Sequence, residues 1–245
     1  MPLASGSMAD QPLVASAGLC TFKDLCIDAN DAAVLGAFYG RTLGLDLETF
    51  DDRGGAVLRG ASPEQTVWIN TVPEPKTVKH RVHLDVRARS LDEFPDAPRV
   101  SEPGRFRWTT LADPEGGEFC VFADDDVPGY RLKDVVVDCA DPAVVARFWF
   151  GLLGGELGHA GEGEQEEWWL DHGAGVPFES IDFVPVPEPK TVKNRVHWDV
   201  LLADGVQVAD LVARGATVLR APDTDIAWTV MADPEGNEFC VFEGR

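Results

Sequence analysis

The stretch PEPKTVKHRVHLDV at residues 73–86 decides the fold, because the chain contains it a second time as PEPKTVKNRVHWDV at residues 187–200. A second stretch also recurs: WTTLADPEGGEFCVF at residues 108–122 returns as WTVMADPEGNEFCVF at residues 228–242. The copies lie about 110–120 residues apart, whereas the repeats of a solenoid have a period of roughly 20–50 residues. The sequence therefore predicts two tandem copies of one domain.

A looser match indicates where each copy begins. KDLCIDANDAAVLGAFYG, which starts at Lys23, returns as KDVVVDCADPAVVARFWF, which starts at Lys133. Between the copies, residues 124–129 hold three acids, a proline and a glycine, a composition typical of a linker. The predicted divisions of the chain are a disordered N-terminal segment at 1–21, a first domain at 22–123, a linker at 124–131 and a second domain at 132–245.

Each copy is predicted to contain two βαβββ modules. Asp31 caps a helix over residues 32–43, and Gly44 follows its last residue. Three further helices are predicted, a short one at residues 91–94 and longer ones from Asp141 to Phe150 and from Asp204 to Arg214. Alternation and turn residues predict the strands of the first copy at 22–28, 45–50, 56–59, 66–72, 80–86, around Val100, at 106–111 and at 118–122.

Composition excludes some classes of partner. The 245 residues carry a net charge of −21, which repels phosphate backbones and anionic membranes, so neither nucleic acid nor membrane is an expected partner. The five cysteines form no CxxC pair, and an odd number suits no disulfide framework. With no apparent signal peptide or membrane-spanning run, we expect free thiols in a cytoplasmic protein, either monomer or homodimer.

These features resemble the vicinal oxygen chelate (VOC) superfamily, in its glyoxalase-like branch. The resemblance rests on the paired modules, the helix motif Ala37-Phe38-Tyr39 through Leu43-Gly44, the strand RVHLDV and the closing ADPEGxEFCVF, each present in both halves. It implies an α+β fold of two tandem VOC domains, whose four βαβββ modules form curved mixed sheets around a concave cavity. The superfamily includes glyoxalase I, bleomycin and fosfomycin resistance proteins and extradiol dioxygenases.

The resemblance also implies positions for a divalent metal, with Zn, Ni, Mn or Fe all admissible. The residues at the family's ligand positions are Asp24, His83, Cys120, Asp134, His197 and Cys240. The family commonly has His or Gln at the first of these positions and Glu at the last. Aspartate and cysteine therefore replace two of the three usual ligands in each copy.

Strand alternation supplies nearby carboxylates, because residues two apart on a strand share a face. Glu118 and Glu238 are the candidate catalytic acids or bases, each two residues before a cysteine. The remaining candidates, for contact with a small-molecule ligand, are Asp85, Asp199, Trp68, Trp108, Trp168 and Trp228. Each copy is expected to gather its own set on one concave face, Asp24 with His83 and Glu118, or Asp134 with His197 and Glu238.

Each motif also has a structural interpretation. His83 and His197 could form hydrogen bonds to the aspartates two residues on, and the cysteines could be small buried residues. The DPEG sequence is typical of a hairpin turn. PEPKTVK is either a rigid connector solvated by its lysines or a cationic rim over an anionic ligand.

Two functions follow from these alternatives. In the first, the protein is a metal-dependent lyase or isomerase of the glyoxalase type, acting on a small oxygen-rich or aromatic metabolite. In the second, it is a non-catalytic antibiotic-binding protein of the bleomycin-resistance type, in which an acidic groove lined by tryptophans holds an aromatic or cationic drug.

Overall fold

The computed structural model describes residues 12–15, 17–50, 54–161, 163 and 166–244. Three α-helices are present there: α1 Ala32–Leu43, α2 Pro142–Leu153 and α3 Val208–Ala213. The strands are β1 Leu13–Ala15, β2 Cys20–Ala29, β3 Asp46–Phe50, β4 Gly55–Arg59, β5 Val67–Thr71, β6 Val82–Ala88, β7 Thr109–Ala112, β8 Glu118–Ala123, β9 Leu132–Cys139, β10 Gly155–Ala160, β11 Glu167–Asp171, β12 Ser180–Pro185, β13 Val196–Leu202, β14 Thr217–Arg220, β15 Thr229–Ala232 and β16 Glu238–Phe242.

The strands form two mixed sheets of eight, and each sheet combines one module from each copy. One sheet has the order β3-β4-β5-β2-β13-β16-β15-β14, and the other has the order β1-β10-β11-β12-β9-β6-β8-β7. The copies are joined by two antiparallel strand pairs, β2 with β13 and β6 with β9. The α+β fold of curved mixed sheets is confirmed, but the expectation that each copy gathers its own concave face is wrong.

The first helix has the predicted bounds because its ends are capped. The Asp31 side chain accepts hydrogen bonds from the backbone N–H groups of Ala33 and Val34, at 3.1 and 3.0 Å. Gly44 follows the last residue in the left-handed region, with a φ of 70°. The helix predicted at 204–214 is shorter, and the one predicted at 91–94 is a single 3-10 turn, Leu91–Glu93. None of the helices described is long and apolar enough to cross a bilayer.

Two sequence predictions require correction, one of a strand and one of the N-terminal segment. No strand forms around Val100, where only an isolated bridge joins Arg99 to Leu111. The segment 1–21 is not disordered throughout, because β1 pairs with β10 and β2 already begins at Cys20; residues 1–11 and 16 lie outside the described part. The 124–131 linker forms no helix or strand and is largely exposed, with Tyr130 packed against the core.

A single hydrophobic core lies under both sheets. Val82, Leu84 and Val86, which alternate along β6, are buried in it. The indole of Trp149 on α2 lies 4.5 Å from the Trp198 ring on β13 and 5.0 Å from the Phe239 ring on β16. Helix α2 belongs to the first module of the second copy, whereas β13 and β16 belong to its second module. This helix therefore packs against strands of the other sheet as well as against its own sheet.

The DPEG turn does more than reverse the chain. The Glu115 carboxylate accepts hydrogen bonds from the backbone N–H groups of Asn30 and Asp31, at 2.8–2.9 Å, at the start of α1. The same carboxylate accepts a hydrogen bond of 2.8 Å from the guanidinium of Arg195, which belongs to the other copy. Arg195 also donates to the Glu74 carbonyl oxygen at 2.6 Å. One glutamate thus links a turn, a helix N-terminus and the second copy.

The other half repeats this arrangement. Glu235 accepts hydrogen bonds from the backbone N–H groups of Ala140 and Asp141 before α2, at 2.8 and 2.5 Å. Its carboxylate lies 3.6 Å from a guanidinium nitrogen of Arg81 in the first copy. Arg81 in turn donates to the Glu188 carbonyl oxygen at 2.5 Å. The two copies therefore hold each other through reciprocal Arg–Glu contacts.

The difference between His80 and Asn194 in the repeated stretch is compensated next to it. Asn194 donates to the side-chain oxygen of Asn237 at 2.9 Å. In the first copy, Gly117 stands where Asn237 stands in the second, and a Cβ there would lie 2.6 Å from the His80 ring. The imidazole thus fills the space of the missing asparagine side chain, so the two positions change together.

We predict that Glu115→Ala lowers the free energy of unfolding by about 3 kcal/mol, because charge-assisted hydrogen bonds are lost and Arg195 is left buried without its partner. Urea denaturation measures the change. The control is Glu48→Ala, which removes an exposed pair with Arg59 of 3.4 Å and should change stability by less than about 0.5 kcal/mol. Equal effects of the two substitutions would contradict the linking role of Glu115.

We also predict that neither copy folds alone as a stable monomer. A fragment of residues 12–126 leaves β2 and β6 without their antiparallel partners, and a fragment of residues 127–244 leaves β9 and β13 in the same state. Such unpaired central edges are expected to self-associate. Light scattering and thermal melts of the separate and mixed fragments measure this, and a cooperative melt of either fragment as a monomer would disprove it.

Candidate functional site

Two equivalent sites lie where the copies join. In the first, which we call the β2–β13 site, Asp24 is opposite Asp199 and Cys26 is opposite His197 in the strand register. Cys240 of β16 lies beside Asp199 on the other side. Because facing residues in paired strands point to the same side of the sheet, these five side chains converge. They come from both copies, which sequence spacing alone did not indicate.

The β2–β13 site brings nitrogen, oxygen and sulfur atoms close together. The Nε2 atom of His197 lies 3.7 Å from Asp199 Oδ1 and 3.9 Å from Cys240 Sγ. Ligand atoms of Cys26, His197 and Asp199 all lie within 4.8 Å of one another. This spacing allows one metal ion to contact all three residues.

Asp24 is held in place at the edge of this site. The indole Nε1 of Trp68 donates a hydrogen bond to Asp24 Oδ2 at 3.1 Å, and the Lys23 ammonium contacts the same oxygen at 2.5 Å. Of the four tryptophans predicted to contact a ligand, Trp68 therefore lies directly in the site.

The second site, which we call the β6–β9 site, repeats the pattern. Asp85 is opposite Asp134 in the register and beside Cys120 of β8. The Nε2 atom of His83 lies 3.6 Å from Asp85 Oδ1, and ligand atoms of His83, Asp85 and Cys120 lie within 4.8 Å of one another. The Lys133 ammonium pairs with Asp134, as Lys23 does with Asp24.

Burial determines the protonation states. It lowers the pKa of His83 and of His197 to about 4, with the nearby lysine ammonium groups acting in the same direction. Both imidazoles are thus neutral at pH 7. Burial, reinforced by the facing Asp24, raises the pKa of Asp199 to about 8. Burial and Asp134 likewise hold the pKa of Asp85 well above its usual range, and Asp199, with its pKa of about 8, carries a proton near neutrality.

Several atoms at the two sites lack a hydrogen-bond partner within the described chain. In the β2–β13 site they are Asp24 Oδ1, His197 Nδ1 and Asp199 Oδ1, and in the β6–β9 site they are His83 Nδ1 and Asp85 Oδ1. Unpartnered buried atoms also occur elsewhere, at both ring nitrogens of His80 and at the indole Nε1 of Trp198, but at these two sites they lie among side chains that can ligate a metal. Neutral imidazole, carboxylate and thiol are also the donor types that divalent transition metals accept, so the residues present fit such an ion.

Glu118 and Glu238, the candidate catalytic carboxylates, contact the repeated connector. Glu118 accepts hydrogen bonds from the Lys76 ammonium at 3.1 Å and from the His80 backbone N–H at 3.0 Å. Glu238 accepts from Lys190 at 2.8 Å and from the backbone N–H of Asn194 at 3.1 Å. Both carboxylates anchor the connector in this structure, and their role in catalysis stays a prediction.

The lysines of the connector all pair with carboxylates. Lys79 lies 2.5 Å from Asp138, and Lys193 pairs with Asp28, each across the boundary between the copies. This pairing favours the rigid connector over the cationic rim. The two PEPKTVK segments enclose a cavity of about 1050 Å³ that none of the candidate metal ligands lines.

Trp108 and Trp168 lie outside the two clusters, whereas the Trp228 indole hydrogen-bonds the Cys240 thiol of the β2–β13 site. Trp108 stacks between Phe106 and Phe122, with ring centroids 4.9 and 5.6 Å away. Trp228 stacks on Phe242 at 5.4 Å. Trp168 stacks on the His159 ring at 4.5 Å and lines a small cavity of about 230 Å³ next to the β6–β9 site.

Three site residues were missed from the sequence: Cys26, Ser180 and Asp182. The Ser180 hydroxyl lies 2.9 Å from Asp134 Oδ1 and 2.6 Å from Asp182 Oδ1, and so bridges the two carboxyl groups. Burial together with Asp134 raises the pKa of Asp182 to about 6. Cys26 could have been found by alternation, because it lies two residues after Asp24 and shares its face; β12 was not delimited from the sequence.

Comparison with known proteins agrees with this architecture. A sequence model of the family described as "Glyoxalase-like domain" matches residues 24–122 and again residues 134–242. A comparison with curated proteins found no significant sequence match.

Solved structures resemble the whole chain. Glyoxalase I from Zea mays is 15% identical and has a TM-score of 0.64, with 91% of this chain and 92% of that chain covered. The CppA protein from Streptococcus pneumoniae is 13% identical and has a TM-score of 0.52, with 94% and 100% covered. At such identities the likeness concerns the fold. Together with the family match over most of its length, it shows that the chain belongs to the vicinal oxygen chelate superfamily and consists of two tandem glyoxalase-like domains.

Proposed function

We propose that the protein is a metal-dependent lyase or isomerase of the glyoxalase type, which acts on a small oxygen-rich molecule at two sites. The observation that carries the proposal is the convergence, at both strand junctions, of a neutral histidine and a buried aspartate, each with an unpartnered polar atom, beside a buried cysteine.

The residues that would hold the ion are Cys26, His197 and Asp199 at the β2–β13 site, with Cys240 beside them, and His83, Asp85 and Cys120 at the β6–β9 site. When bound, a divalent ion supplies Lewis-acid polarisation of a substrate oxygen. A neutral imidazole presents a free lone pair at either site, since the pKa of each histidine is lowered to about 4.

Proton transfer is assigned to the carboxyl group that faces each of these aspartates. Asp24 lies opposite Asp199 and is fixed by Trp68 and Lys23. A positioned carboxyl group can accept a proton from a carbon acid and return it at a neighbouring atom, as an isomerisation requires. Asp134 lies opposite Asp85 at the other site. Glu118 and Glu238 are instead engaged by Lys76 and Lys190.

Substrate size follows from the surroundings. The cavity next to the β6–β9 site has a volume of about 230 Å³ and is lined by Trp168, Trp169, Ser180 and Asp182. This volume lies below the roughly 300–1,000 Å³ of drug-sized pockets. Aromatic and acidic walls of this size suit a small polar metabolite.

We expect His83→Ala and His197→Ala each to remove about one tightly bound Zn²⁺ or Ni²⁺ per chain, because each substitution deletes the nitrogen donor of one site. Calorimetric titration of the purified chain, stripped with a chelator and reloaded, gives the stoichiometry. The matched control is His172→Asn, a change at an exposed histidine with a positive φ of 55°, where asparagine is tolerated. Unchanged stoichiometry in both alanine variants would disprove the metal sites.

We further expect the metal-loaded protein to exchange a carbon-bound hydrogen of its substrate with solvent. A panel of small α-hydroxy and α-keto carbonyl compounds in D₂O, followed by nuclear magnetic resonance, detects deuterium incorporation. Asp24→Asn and Asp134→Asn together should slow the exchange by about 10²–10⁴-fold, the usual contribution of a positioned acid or base. Exchange that persists in this double variant, or that is absent with the whole panel, would count against the proposed chemistry.

A further inference from the structure

We propose that the two sites prefer different metal ions: the β2–β13 site, with the thiols of Cys26 and Cys240, takes a thiophilic ion such as Zn²⁺ or Cd²⁺, and the β6–β9 site, with Asp85, Asp134 and Asp182, takes an oxygen-preferring ion such as Mn²⁺. This inference rests on the proposed function, since it presupposes that both sites bind metal. It concerns how the copies have diverged, which the shared architecture does not determine.

The first difference lies opposite the histidine. In the register of β2 and β13, Cys26 is opposite His197. In the register of β6 and β9, Val136 is opposite His83. A thiol therefore lies beside one histidine, and an inert valine occupies the equivalent position beside the other. The Cys26 sulfur is within 4.8 Å of the His197 and Asp199 ligand atoms, so it is close enough to share an ion with them.

The second difference lies on the next strand. Trp68 is paired with Cys26 in the register of β2 and β5, whereas Asp182 is paired with Val136 in the register of β9 and β12. Where one site has the pair Cys and Trp, the other thus has Val and Asp. The Asp182 carboxyl is drawn toward Asp134 through the Ser180 hydroxyl.

Both differences make the β2–β13 site richer in sulfur and the β6–β9 site richer in carboxyl oxygen. Both sites share a histidine, two facing aspartates and one cysteine on the closing strand. The β2–β13 site adds a second sulfur, and the β6–β9 site adds a third carboxyl group. Thiolate ligands select Zn²⁺ and Cd²⁺, while carboxylate oxygens suit Mn²⁺ and similar ions, so the selectivity of the sites should diverge.

A buried cysteine is commonly just a small apolar residue. Membership of the hydrophobic core separates such a cysteine from a candidate metal ligand. Cys20 and Cys139 belong to the hydrophobic core cluster. Cys26, Cys120 and Cys240 are buried too, but they are not members of that cluster and lie on the polar face with the aspartates. Unpartnered buried atoms of Asp24, His197 and Asp199 surround Cys26. The environment of Cys26 is thus that of a ligand and not of a core residue.

Cadmium absorption tests the inference directly, because thiolate-to-metal charge transfer reports how many sulfurs contact each ion. The full chain, reduced and stripped of metal, is titrated with Cd²⁺. We expect the first equivalent to absorb about twice as strongly as the second, since the thiolate-rich site fills first and supplies two sulfurs against one. Manganese, followed by electron paramagnetic resonance, should bind one tight site per chain.

Exchanging residues between the equivalent positions provides matched variants. Cys26→Val should halve the absorption of the first equivalent and weaken its binding by at least about tenfold, because loss of a direct ligand exceeds the 10–100-fold effect of an outer-shell partner. Val136→Cys should raise the absorption of the second equivalent. Asp182→Asn should weaken Mn²⁺ and leave the first Cd²⁺ unchanged. Cys139→Ala removes a core thiol and should change no cadmium signal.

The outcomes separate this inference from the proposed function. If neither Cd²⁺ nor Mn²⁺ binds the wild-type chain, both are wrong. If two Cd²⁺ ions bind with equal thiolate absorption, or if Cys26→Val leaves the titration unchanged, the sites are equivalent and only this inference is overturned. If Cys26→Val fails to fold, Val136→Cys decides, because it adds a thiol without removing one, and no gain in absorption would overturn the inference.

Discussion

The antiparallel pairing of first strands across the two copies is the constraint on which the rest of the structure depends. β2 finds its partner in β13, and β9 finds its partner in β6, so neither sheet can close within one copy. The pairing also fixes the register, which brings Asp24 opposite Asp199 and Asp134 opposite Asp85. A slip of one residue would turn all of these side chains to the helix side of the sheet. Fold and site are therefore determined by the same contacts.

This register is energetically unfavourable for the buried carboxyl groups. Carboxyl groups facing one another away from water disfavour their charged forms, which is why the pKa of Asp199 rises to about 8. Lys23 and Trp68 offset the burden at Asp24, as Lys133 and Ser180 do at Asp134. Hydrophobic residues of the same size would be expected to stabilise the junction better. Both halves nevertheless have facing acids at this position.

Comparison of the two copies distinguishes the contacts that both halves share from the positions at which the halves differ. Reciprocal Arg–Glu contacts hold the copies together, and the Lys–Glu contacts that anchor the connectors are present in both halves. Where the halves differ, neighbouring residues differ with them, as His80 and Gly117 do against Asn194 and Asn237. The pairs Cys26 with Trp68 and Val136 with Asp182 follow the same rule, but they face the sites and not the connectors.

The sequence by itself determined the duplication, the modules and the bounds of the first helix, because alternation, capping by Asp31 and a terminal glycine are local properties of the chain. It also identified most residues of the two clusters, including both histidines. Local patterns could not show which histidine meets which aspartate, since that depends on pairing between strands that are about 50 residues apart at one site and more than 100 at the other. Nor could they show that lysines engage Glu118 and Glu238, or that Asp182 approaches Asp134. Those relations arise only when two copies complete each other's sheets, because an open β-edge leaves unpaired N–H and C=O groups that only a partner strand satisfies.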